Sequence, residues 1–70
     1  MTMRVHVTTV PRAGEEDREL PEGSTAEDLV RAMGLPTVAC LVLRNGGPIP
    51  IDEPLESGDA LEVVYVASGG

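Results

Sequence analysis

Ala67-Ser68-Gly69-Gly70, at the end of the chain, is the stretch of the sequence best suited to a covalent reaction. A carboxylate on glycine has no side chain beside it, so it can pass along a narrow channel to a reagent held by another protein. The residues before it explain why it would stand clear. Gly58-Asp59 is a turn signal, and Ala60 to Val66 form an apolar, β-branched strand. Nothing after Val66 is large enough to pack. The expectation is a folded body over residues 1–66 and a flexible tail over 67–70, shaped to enter a partner's active site. Small-residue termini are common and often inert, so the remainder of the chain has to support that expectation.

Other groups offer less chemistry. His6 stands on the outward face of a predicted strand, with no neighbouring Ser or Cys to act as nucleophile, and a catalytic base needs a positioned partner. Cys40 falls inside an apolar run and reads as a small core residue. Asp52-Glu53 and Glu15-Glu16-Asp17 lack a histidine or a further carboxylate at ligand spacing, so they read as solvated charge with no metal between them. Asn45-Gly46-Gly47 is a hairpin turn signal and not a phosphate loop. No catalytic residue, bound cofactor or metal is expected in this chain.

The elements that would carry the tail follow from periodicity. Met3 to Thr8 alternates apolar and polar, placing Met3, Val5 and Val7 inward. Pro11 to Gly14 turns the chain, and the charged stretch Glu15 to Leu20 returns as an edge strand, where charge discourages pairing with another molecule. Ser24 with Glu27 is a capping box opening a short helix. Ala26, Leu29, Val30 and Met33 form its apolar stripe, and Gly34 with Pro36 ends it. Val38 to Leu43 reads as a central strand covered on both faces. Arg44-Asn45-Gly46-Gly47 turns into a short edge strand, Pro48 to Ile51, and a loop anchored by Leu55 leads to the last strand. A right-handed crossover would set that last strand parallel to the first. The fold class is α+β, a β-grasp: a mixed sheet of four to five strands with one helix across it. On the last strand Leu61, Val63 and Tyr65 would face the core. Val64 and Val66 would then form an outward apolar patch, a docking surface continued by Ala67 and Ser68.

Composition narrows the partners. Seventy residues carry twelve acids against five basic residues, all arginine, for a net charge of −7, and the aromatic content is 1%. So acidic a surface repels phosphate backbones, which argues against direct nucleic-acid binding and favours partners with basic docking faces. Solubility, or adaptation to high salt, accounts for the same charge. One cysteine allows no internal disulfide or cysteine metal cluster, and no segment is apolar and long enough to span a membrane. The chain reads as a cytoplasmic monomer.

Thr25 to Ala32, Leu43-Arg44-Asn45-Gly46, Gly58 to Val63 and terminal Ser68-Gly69-Gly70 resemble the ubiquitin-like small archaeal modifiers and sulfur carriers, relatives of the thiamine and molybdopterin carriers (ThiS and MoaD types). The resemblance runs from about Thr25 to Gly70. Arg44 departs from it, because an apolar residue usually precedes the Asn-Gly turn. The resemblance implies that an adenylating activating enzyme uses ATP and Mg²⁺ to activate the Gly70 carboxylate, with Gly69 giving clearance. A cysteine desulfurase or other sulfur donor would then supply persulfide for a thiocarboxylate, destined for a sulfur acceptor enzyme. Alternatively a target lysine takes the acyl group as an isopeptide. Two alternatives share the fold: a β-grasp module acting by non-covalent contact, and the small subunit of a molybdopterin synthase. This chain has no lysine, so it offers no acceptor for lysine-linked chains of itself.

Overall fold

The computed structural model describes residues 1–10 and 14–66. The expected turn at Pro11-Arg12-Ala13 and the expected tail at 67–70 lie outside the described residues. β1 (Thr2–Val10) buries Met3, Val5 and Val7 and leaves Arg4 and His6 exposed, the alternation of a strand with one face covered. β2 (Gly14–Pro21) returns antiparallel, from Thr9 opposite Gly14 to Thr2 opposite Pro21. β3 (Cys40–Arg44), β4 (Gly47–Ile49) and β5 (Ala60–Tyr65) complete a five-stranded sheet in the order β2-β1-β5-β3-β4. β5 runs parallel to β1 and antiparallel to β3. This is the β-grasp order, with acidic β2 and proline-bearing β4 at the two edges, where missing or unused ladder donors do least harm.

One helix, α1 (Ala26–Ala32), supplies the second layer. Ala26, Leu29 and Val30 are fully buried and share a core with Met3, Val5, Val7, Val42, Leu61 and Val63, while Met33 and Leu35 close its rim. Each buried Leu or Val contributes about 1.5–3 kcal/mol by leaving water. Gly34 ends the helix at φ 75°, the left-handed position expected of it. The N-terminus differs from expectation by one residue. Thr25, not Ser24, is the cap, and its box partner is Asp28, not Glu27: Asp28 N–H donates to Thr25 Oγ1 at 3.3 Å and Thr25 N–H to Asp28 Oδ2 at 2.9 Å. Ser24 is drawn inward instead. Its hydroxyl donates to the Pro21 carbonyl at 2.6 Å, and its own carbonyl accepts from Leu55 N–H at 2.9 Å.

The apolar run at 38–43 also departs from expectation. Thr37–Ala39 forms a 3-10 turn, the strand begins only at Cys40, and β5 occupies the centre of the sheet. The sheet has helix on one face alone, so Cys40 and Val42 are buried while Leu41 remains 54% exposed and Val38 98% exposed. Asn45 and Gly46, at φ 56° and 80°, make the expected tight hairpin between β3 and β4. The loop that follows docks on the helix start, where Ala26 N–H donates to Glu53 O at 3.0 Å and Glu27 N–H to Ile51 O at 2.7 Å. Leu55 anchors it, as expected.

Candidate functional site

The end expected to react follows directly on β5. β5 is bonded on both sides, and beyond its last residue Val66 N–H still donates to Ala39 O at 2.7 Å. Gly69 and Gly70, with Ala67 and Ser68, lie outside the described residues. Leu61 and Val63 face the core, and Tyr65 packs half-buried at its margin.

The two valines expected to face outward are placed differently. Val66 is 54% exposed, whereas Val64 is only half-buried. The register gives the reason: Val64 lies opposite Leu41 of β3 on one side and Val10 of β1 on the other, so its neighbours cover it. Leu41 and Val38 extend the patch and were missed by the sequence reasoning, which took the 38–43 run as covered on both faces. A seven-residue helix cannot cover two faces of a five-stranded sheet, and that was the available signal. Val38, Leu41 and Val66 line one shallow groove together with Ala39 and Cys40, directly beside the point where the chain leaves the sheet.

Across the sheet the open face changes character. Arg4 pairs with Glu19 at 3.0 Å, and His6 is clasped rather than alone: Nδ1 lies 2.9 Å from Asp17 Oδ1 and Nε2 lies 3.0 Å from Glu15 Oε1. The hydrogen bond to Asp17, then that to Glu15, raises the His6 pKa above 6.5. With both ring nitrogens engaged and no nucleophile beside it, His6 is not placed as a general base. Cys40 is buried opposite Tyr65, and desolvation pushes its thiol pKa up, away from nucleophilic thiolate. Among the described residues no group of His, Cys, Asp and Glu could hold a metal ion. No described helix is long and apolar enough to cross a membrane.

Comparison with known proteins places this geometry. The family model described as small archaeal modifier protein 2 matches residues 3–67. Among solved structures, the fold is similar to a ubiquitin from Caldiarchaeum subterraneum, with TM-score 0.74 and 15% identity over 100% of both chains. It is similar also to SAMP1 from Haloferax volcanii, with TM-score 0.72 and 18% identity over 96% of this chain and 99% of that one. A ubiquitin-like domain from Arabidopsis thaliana matches at TM-score 0.74 and 11% identity, over 99% of this chain and 82% of that one.

Proposed function

The chain belongs to the small archaeal modifier protein 2 family, and from that membership we propose that it is a carrier whose Gly70 carboxylate is activated by a partner enzyme. In this reading the chain has no catalytic group of its own and works in the cytoplasm, where ATP is available. The carboxylate, with a reference pKa of about 3.5, is ionised at neutral pH and attacks the α-phosphate of ATP on the partner. Pyrophosphate leaves and Gly70 becomes an acyl-adenylate. Mg²⁺ and basic groups of the partner stabilise the charge that develops on the phosphates. A persulfide from a sulfur donor displaces AMP, and a second thiol cleaves the resulting S–S bond to leave a thiocarboxylate. Displacement of AMP by a target lysine amine gives an isopeptide instead.

The observation that carries the reading is the groove of Val38, Leu41 and Val66 beside the last backbone bond from Val66 to Ala39. A partner seated there would be guided to the terminus. An exposed apolar patch on so acidic a chain is otherwise unfavourable. The test is intact mass of the full chain purified anaerobically from its native cells, with a parallel search for Gly-Gly remnants on target lysines. Oxygen-to-sulfur exchange or such remnants support the carrier. If a chain lacking Gly69-Gly70 retains full activity in those cells, the contact-only module replaces it. Stoichiometric co-purification with a large catalytic subunit would instead favour the molybdopterin-synthase reading.

A further inference from the structure

We propose that the edge strand β2 is clasped to β1 by a proton carried on His6, so that the Gly14–Asp17 end of β2 tightens when the ring is protonated and loosens when it is not. A neutral imidazole has one N–H and one lone pair, and ionised carboxylates only accept. His6 has a carboxylate oxygen within 3.0 Å of each ring nitrogen, and both carboxylates come from β2. Only the imidazolium satisfies both contacts. Once deprotonated, the ring turns a lone pair toward Glu15 or Asp17, and one contact becomes repulsive.

Among the described residues no other cation replaces that proton. On β1, Arg4 is committed to Glu19, and Thr8 is uncharged. From β5, Ala60 lies opposite His6 and Glu62 opposite Thr8, adding negative charge, while the β3–β4 turn presents only Asn45 and Gly46. On β2 itself, Arg18 belongs to the other face, where its Nε lies 3.2 Å from Glu16 Oε2 and its Nη1 donates to Ala32 O at 3.3 Å. Deprotonated His6 is thus left among Glu15, Asp17 and Glu62.

The fold confines the effect. β1 keeps its bonds toward β5, with His6 N–H donating to Asp59 O and Gly58 N–H to Arg4 O, each at 2.8 Å. The far end of β2 is held by buried Leu20 and by Arg18. Loosening should be restricted to Gly14–Asp17. The sign follows from the raised pKa: the proton-linked contribution is complete below about 6.5, the unfolded reference, and is lost as pH rises through the folded value.

The inference is independent of any chemistry at Gly70. Its test is an NMR titration of the full chain between about pH 5.5 and 8.5, the range where His changes charge. The expected results are a His6 midpoint above 6.5 and, after correction for base catalysis, faster amide exchange at Gly14 and Glu16, the residues of this segment whose N–H groups face β1, at the upper end with Val63 unchanged. His6→Gln should abolish the pH dependence, and Glu15→Gln with Asp17→Asn should return the midpoint toward 6.5. A wild-type midpoint at or below 6.5, or the same pH-dependent exchange in His6→Gln, overturns the clasp.

Discussion

Arg44 shows how one side chain can reverse what its position suggests. It shares the inward face of β3 with Val42, where the resemblance favours an apolar residue. Its guanidinium is instead held by Glu53 Oε2 at 2.8 Å and Asp59 Oδ2 at 3.2 Å, which raise its pKa, and by the Pro54 carbonyl at 3.4 Å, and together these fasten the loop before β5. Arg44→Met should therefore lower the urea midpoint more than Arg31→Met, because Arg31 makes one exposed i,i+4 pair with Glu27. Equal midpoints would refute the clamp. Truncating the core is more severe: Leu29→Ala should cost about 2–5 kcal/mol in the same assay. Val66→Asp, on an exposed site, should change stability by no more than about 0.5 kcal/mol yet raise the KM of the activating enzyme for this chain. A normal KM would remove Val66 from the docking surface. The core valines were legible from alternation. The partners of Arg44 and His6 were not, because pairs 9 to 15 residues apart depend on loop path and strand register.

At the scale of elements, the helix start shows where local pattern stops deciding. Ser24-x-x-Glu27 and Thr25-x-x-Asp28 have the same spacing, and either could cap. The inward bonds of Ser24 to Pro21 and Leu55 settle it in favour of Thr25. Thr25→Ala should cost about 1 kcal/mol and reduce protection at the Asp28 amide, whose bond it removes. Ser24→Ala should leave that amide protected; the reverse pattern would mean that the cap is misassigned. Gly34→Ala, forced to φ 75°, should destabilise by about 1 kcal/mol. β1, the hairpin turn at Asn45-Gly46 and the parallel pairing of β5 were all readable. The 38–43 run misled because continuous apolarity usually marks a strand buried on both faces, whereas here it marks one buried face and one exposed patch.

For the molecule as a whole, charge and layer count decide how it meets others. Among the described residues every arginine faces a carboxylate, and over the whole sequence twelve acids against five arginines leave a net −7. Added salt should therefore leave thermal stability unchanged or raise it, by screening self-repulsion. With no lysine, the chain should give no lysine-linked polymer of itself under conjugating conditions, and peptide mapping would reveal any exception. The sheet, covered by helix on one face alone, leaves an apolar groove beside Val66, where the proposed partner would dock. The most direct check is ATP–pyrophosphate exchange by the activating enzyme, comparing the full chain with one lacking Gly69-Gly70. Exchange that requires the two glycines is the predicted result. Equal exchange with the truncated chain, or none with either, would contradict activation at Gly70.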